Sequence, residues 1–241
     1  MSIQHQLSVS PTLLKLARSL APIRCIYDCG SRDALDGLHL LSELKAEQLH
    51  AFECNPAAIA LCEENIRRSP HAAKAQLVPV AIADQPGWLK FHAIDPKATV
   101  TPHADGNIGA SSLYRANPAY PHEQYVQKAI EVQAVTLDQY SENHTPPDLL
   151  WMDLQGAEAR ALDGARSVLP QVKIIHVEVS FRRMYLEQAL FHEIHQRLEK
   201  HFKLVHLDLG RWPRLPWLYR LGNFGPWVGN AIYVNRTCLP R

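Results

Sequence analysis

Charge imbalance is nearly absent from this chain. Its 25 Lys and Arg against 24 Asp and Glu leave a formal net charge of +1 over 241 residues. That argues against a general nucleic-acid binder, whose surface needs a basic excess. Also lacking is any apolar run near the roughly 20 residues that span a bilayer, so no transmembrane segment is expected. The opening stretch MSIQHQLSVSPTLLKLARSL has neither the charged start nor the apolar core of a secretory signal. Leu13, Leu14, Leu16, Ala17 and Leu20 instead trace a short amphipathic helix within an extension covering residues 1–22. The five cysteines (25, 29, 54, 62 and 238) form no CxxC pair and are odd in number. Cys25 and Cys62 fall at apolar strand and helix positions, so reduced core thiols and a cytoplasmic location are expected.

Other signatures are missing as well. G-x-S-x-G does not occur, which leaves a serine hydrolase without support. No set of His, Cys and acids has zinc spacing. HEIH at 192–195 is HExH rather than HExxH and lies in an amphipathic helical pattern, so it reads as a solvated helix face and no metal is expected. The dinucleotide fingerprint G-x-G-x-x-G is not met: Gly30 and Gly37 stand with Arg32 and Ala34 between them. No repeat or low-complexity run is visible.

What is present is a globular composition, 46% hydrophobic and 20% charged, in a chain long enough for one domain over residues 1–241 with a substantial core. The rest is organised around residues 24–37, RCIYDCGSRDALDG. An apolar strand ends in Asp28, turns through Cys29-Gly30-Ser31, and enters a helix marked by Leu38, Leu40, Leu41 and Leu44. Such a unit aims backbone N–H groups and a helix N-terminus at one spot, which suits a nucleotide-like ligand. Gly30 lets that ligand approach closely. Asp28 would repel a pyrophosphate but could hold a cationic group, such as the amino group of a methionine moiety.

Further strands are predicted at 48–53 and 76–82, with Asn55-Pro56 capping the helix between them. Three βα steps in about 60 residues predict a doubly wound, Rossmann-like parallel sheet. Residues 88–93 alternate as a hairpin strand, 95–121 form a long loop holding GASSL at 109–113, and 129–135 form another strand. Regular order returns with strands at 148–153 and 172–179, helices at 156–168 and 184–201, and closing strands at 203–209 and 231–235. The prediction is a seven-stranded, mainly parallel sheet with an antiparallel last strand and helices on both faces. Glu53 follows Asp28 by 25 residues (53 − 28) and ends the second strand, where a carboxylate grips a ribose diol. Asp84, ending the third, is a candidate for an adenine edge, with a surface helix cap as the alternative. Asp153 ends its strand facing the crevice where such sheets bind ligands.

IYDCGSRDALDG, AFECNP, VPVAIAD, GASSL, VTLDQY, DLLWMDLQGAEARAL and IIHVEVSF, in this order, resemble the FkbM-type S-adenosylmethionine-dependent methyltransferases over residues 24 to 209. The resemblance implies S-adenosylmethionine as cofactor. It places Asp28, Gly30 and Ser31 at the methionine end, Glu53 at the ribose with Cys54 beside it, Ala83 and Asp84 at the adenine, and Ser111 of GASSL in the cofactor site. Asp153 would lie near the reacting methyl. The implied reaction is O-methylation of a sugar or glycoconjugate hydroxyl, with Asp153 as base or orienting group. His176 and Glu178 are read as pointing to opposite sheet faces, so that only one faces the crevice, and Glu178, nearer the strand end, is the second catalytic candidate. The chain departs from the family pattern at Arg32, Ala34, Trp151 and Gln155, the last two at the active-site edge. Two alternatives stand beside this: an NAD(P)-dependent oxidoreductase and a cofactor-binding homologue without activity. Finally, residues 210–230 carry Trp212, Trp217 and Trp227 among prolines and arginines, and residues 203–241 have six Lys and Arg against Asp208 alone, a balance of +5 (6 − 1). This end reads as a packed cap, as an acceptor-side cap for an anionic, lipid-linked glycan, or as a homo-oligomer surface.

Overall fold

The computed structural model describes residues 7–210 and 226–239. Alternation along the strands decides its layers. In β1 (Cys25–Cys29) every residue is buried, because both faces are covered. Cys25, Tyr27 and Cys29 enter one apolar cluster, while Ile26 enters the other. The same split recurs in β7 (Leu149–Met152), where Leu150 and Met152 face one way and Leu149 and Trp151 the other.

β1 pairs in parallel with β2 (Gln48–Phe52) and β7, β2 with β3 (Ala75–Val78), and β7 with β8 (Ile174–Ser180). β10 (Val228–Asn235) is antiparallel to both β8 and β9 (Phe202–Asp208). The seven-stranded order β3-β2-β1-β7-β8-β10-β9 therefore has one reversed strand, the last, as the sequence predicts. The chain moves outward from β1 through β2 to β3 and later resumes on the other side at β7. The switch point between β1 and β7 is where such sheets open a crevice at their carboxyl ends.

Helices cover the two faces. α1 (Pro11–Ser19) is capped by Ser10, whose hydroxyl accepts from Leu13 N–H at 3.2 Å, and buries Leu13 and Ala17. With α2 (Leu35–Glu43) and α3 (Pro56–Arg68) it lies on the Ile26 side. α4 (Leu137–Ser141), α5 (Glu158–Asp163) and α6 (Phe191–Leu198) cover the Tyr27 side.

Three predicted elements are corrected. The strand predicted at 76–82 is two strands: Pro79, with no N–H to donate, interrupts the ladder, and β4 (Ala81–Ile82) leaves for a second sheet. There β4 pairs with β6 (Gln127–Val135), which also pairs antiparallel with β5 (Gly87–Ile94), the hairpin read from sequence. The helix predicted over 184–201 begins only at Phe191, because the Gln188 side chain accepts from the N–H groups of Met184 and Tyr185, at 2.8 and 3.3 Å, and holds that segment as a turn. The helix predicted over 156–168 stops at Asp163. The next residue, Gly164, packs against β4's end, where an added Cβ would lie 2.2 Å from the Ala83 carbonyl oxygen.

Most of the segment 210–230, with Trp212, Trp217 and its arginines, lies outside the described residues. Among those described, no helix is long and apolar enough to cross a membrane, and all five cysteines are free thiols.

Candidate active site

The turn after β1 sets the site. Gly30 has φ +86°, and a Cβ there would sit 1.9 Å from the Asp153 carbonyl oxygen, so only glycine fits. Its N–H and that of Ser31 both donate to the Phe52 carbonyl at 3.0 Å, and Asp153 N–H donates to the Cys29 carbonyl at 3.0 Å. The carboxyl ends of β1, β2 and β7 are thereby tied together. Over them opens a cavity of about 360 Å³, within the range of small-molecule sites. Gly30, Glu53, Cys54, Ser111, Asp153 and Glu178, all named from sequence, line it.

Glu53 occupies the β2 end. One carboxylate oxygen accepts from Arg32 N–H at 2.9 Å and the other from Asn55 N–H at 2.7 Å. Burial raises its pKa, and the backbone N–H groups of Asn55, Arg32 and Cys54 oppose that rise. The carboxylate keeps lone-pair capacity for a ligand hydroxyl beyond these N–H groups. Beside it Val80, Ile82, Phe91 and Leu113 give an apolar wall. This donor set and wall fit a nucleoside whose diol meets Glu53 and whose base lies against the apolar side. Cys54 keeps its proton, its thiol raised by burial. The Ser111 hydroxyl is committed within the protein, donating to Ile108 O at 2.7 Å and accepting from Ile94 N–H at 3.0 Å.

Asp28 and Ser31 line a separate cavity of about 50 Å³, together with Asp33, Asp36 and Trp151; Gly30, Arg32 and Asp153 face both spaces. Asp28 is 1% exposed and its Oδ2 has no hydrogen-bond partner among the described residues. Burial, opposed by a hydrogen bond from Ser31 and helped by Asp36, Asp33 and Glu53, pushes it up to about 8. Near neutrality it is thus largely protonated, and a cation brought against it would restore its charge. The adenine assignment moves. Asp84 is ion-paired with Arg160 at 2.6 Å, and Ala83, fully buried, donates its N–H to Val135 O at 3.0 Å. Neither lines the cavity, because the chain has by then turned into the second sheet; Val80, Ala81 and Ile82 line it instead.

Three carboxylates gather at the β7 and β8 ends. Asp153, Glu158 and Glu178 each present an oxygen within 4.8 Å of the others. Glu158, read from sequence only as part of a helix start, accepts from Leu154 N–H at 2.8 Å and Gly156 N–H at 3.2 Å, and burial pushes it up to about 7. Asp153 accepts from the Gln155 amide at 2.6 Å, and burial raises it against that bond. The Glu178 side chain has no hydrogen bond among the described residues, and burial, then Asp153 and Glu158, hold it well above the usual carboxylate range. His176 does not reach the cavity. It shares Glu178's side of the strand, as residues two apart do, but lies deeper, stacked on Trp151 at 3.9 Å.

The roof is the long loop predicted at 95–121. Arg32 reaches across to Asp105 at 2.8 Å, Ser112 Oγ donates to Gln155 O at 2.7 Å, and Tyr185 O–H points at Ala110 O, 2.8 Å away. Sequence reasoning missed Glu123, Tyr125 and Tyr185, which bear on this roof from two separate stretches. Only the length of the loop hinted at them.

A family model described as the methyltransferase FkbM domain matches residues 28–204. The curated 2-O-methyltransferase NoeI of Sinorhizobium fredii is 28% identical over 187 residues, 74% of this chain and 72% of that protein. Methyltransferase FkbM from Methylobacillus flagellatus has a similar fold, with TM-score 0.51 and 14% identity; the match covers 88% of this chain but 43% of that one, so this chain spans under half its length. TrmK of M. capricolum, solved with S-adenosyl-homocysteine, has TM-score 0.50 and 8% identity, covering 95% of this chain and 69% of that one.

Proposed function

The chain belongs to the methyltransferase FkbM family, and from that premise we propose that it moves the methyl group of S-adenosylmethionine to a hydroxyl oxygen of a sugar or glycoconjugate, with Asp153 as base. The oxidoreductase alternative lapses with the family assignment. Support for an oxygen acceptor comes from the 2-O-methyltransferase relative. The observation that carries the reading is the placement of Asp153, at the sheet's switch point, in one cavity with Glu53 and Glu178.

Glu53 would hold the ribose diol, Val80 and Ile82 the purine, and the backbone of the Gly30 turn the methionine end. When bound, S-adenosylmethionine supplies a methyl already activated by its sulfonium. The protein's tasks are then alignment and removal of one proton. Asp153 would take the acceptor's hydroxyl proton as that oxygen is methylated, with S-adenosylhomocysteine as the leaving product. Glu178, left without a donor, holds the proton that three adjacent carboxylates share. It serves as a neutral hydrogen-bond donor toward the acceptor.

Calorimetry with S-adenosylmethionine and with its demethylated product, followed by intact-mass screening of glycans with methyl-labelled cofactor, tests this. The expected result is micromolar-range binding and transfer of label to one glycan class. Absence of heat on folded protein would remove the reading. Binding with no transfer to any acceptor would favour an inactive homologue.

A further inference from the structure

The side chain next to the proposed base has a more definite task than filling space. We propose that Gln155 is a positioning residue, which, held by Tyr185, orients the Asp153 carboxylate, favours its charged form and leaves Oδ2 for the acceptor's proton.

Backbone geometry brings this about. Gln155 has φ +50° and Gly156 φ +98°, two successive left-handed residues that curl the chain after β7. The Gln155 side chain thereby folds back on its own strand end, and its amide nitrogen lies 2.6 Å from Asp153 Oδ1. Its amide oxygen lies 2.9 Å from the Tyr185 hydroxyl. Which end of an amide faces which neighbour follows from its partners. The Tyr185 hydroxyl has one proton, shared between two acceptors, Gln155 Oε1 and Ala110 O at 2.8 Å. The Asp153 carboxylate can only accept, so the Gln155 NH₂ faces Asp153 and its oxygen faces Tyr185. The opposite orientation would set two oxygens 2.6 Å apart.

Tyr185 is itself immobile. It is 0% exposed, and Gln188 holds the backbone N–H groups of Met184 and Tyr185 while donating to Ser180 Oγ at 2.6 Å. A chain of hydrogen bonds thus runs from β8 through Gln188 and Tyr185 to the Asp153 carboxylate. Oδ2 receives no donor among the described residues. A neutral amide stabilises an anion without adding charge, which matters here. The titratable and charged groups facing Asp153 are Glu158 and Glu178 from α5 and β8, Asp36 from α2, Glu53 at the β2 end, and the distant cation Arg32. Most of these favour protonation; the Gln155 side-chain amide is the largest influence opposing them at Asp153, ahead of Arg32 and the Gln155 backbone N–H.

This inference rests on the assignment of Asp153 as base, and its test is independent of turnover. Protein carrying carboxyl-labelled aspartate is titrated by carbon NMR with S-adenosylhomocysteine present, the Asp153 signal being identified by its loss in Asp153→Asn. Gln155→Met removes the donor at near-constant volume, Gln155→Glu replaces it with another acid, and Tyr185→Phe frees the amide to rotate. The first two should raise the Asp153 titration by about one pH unit or more, a tenfold rise in proton affinity. Tyr185→Phe should raise it less. If the folded Gln155 variants titrate at Asp153 as the parent does, the positioning role is overturned. If either one alone folds, its titration decides. If instead Asp153→Asn turns over like the parent while the titrations move as expected, it is the base assignment that fails.

Discussion

Two edges of one cavity carry glutamates that differ in their partners. At the β2 end Glu53 has both oxygens engaged by backbone N–H groups. At the β8 end the Glu178 side chain has no hydrogen bond among the described residues and stands beside two more acids. A carboxylate wired to the backbone is a fixed acceptor, suited to gripping a ligand that always presents the same hydroxyls. One crowded by like charge and left without donors is a proton holder. On the proposed function the cavity divides into a binding edge and a proton-handling edge, with Asp153 on the second.

The sharpest way to break this division is Asp153→Asn, which keeps shape and removes the charge. Turnover should fall by roughly 10²–10⁴, while calorimetric affinity for the cofactor changes far less. A loss below tenfold would return Asp153 to a structural role. Glu53→Ala should do the reverse, weakening cofactor binding by about 1.5–3 kcal/mol, the scale of a hydrogen bond to a charged group. An unchanged dissociation constant would erase the binding edge.

Asp28 provides the next test, read in stability. Its ordinary value of 3.8 is raised to about 8, so the folded state binds the proton more tightly than the unfolded one. Its contribution is therefore complete below about 3.8 and is lost as pH rises through about 8. Asp28→Asn does not titrate, so between those limits its melting temperature should gain steadily on the parent's. Roughly 2–4 °C is expected for each kcal/mol. Parallel melting curves across that range would show that Asp28 keeps its charge. The smallest effect is expected at Glu178. As a neutral donor it is mimicked by Gln, so Glu178→Gln should cost less than about tenfold in turnover, against the much larger loss at Asp153. Equal losses would mean that the two acids share the base role.

The binding edge was the more legible of the two from sequence. Asp28, Gly30 and Glu53 lie at strand ends, where an apolar run followed by an acid or a glycine marks both the element and its exit toward the crevice. Asp153 was found by the same logic. Asp84 follows a similar run, yet the proline three residues before Ile82 had already diverted the chain into the second sheet, and no local pattern announces a change of sheet. Glu158 and Tyr185 were hidden for another reason. Glu158 sits at the start of a helix, where acids are common whatever their task. Tyr185 lies in what reads as a helix, and only the side chain of Gln188, competing for its backbone, shows otherwise. Nothing in the order of residues predicts that Tyr185 and Gln155, 30 positions apart, share a hydrogen bond.

The missing side chain at Gly30 has a mechanical consequence. Because the turns after β1 and β7 touch at that point, the loop that would carry the methionine end and the loop that would carry the base are held at one spacing. Their spacing is a dimension of the sheet itself, inherited from the parallel register of Cys29 with Met152. Motions of the roof can admit or retain ligands without altering that gauge. Even alanine at position 30 would act as a shim between the two strands, lengthening the path the methyl must cross while every ligand-touching side chain stayed the same.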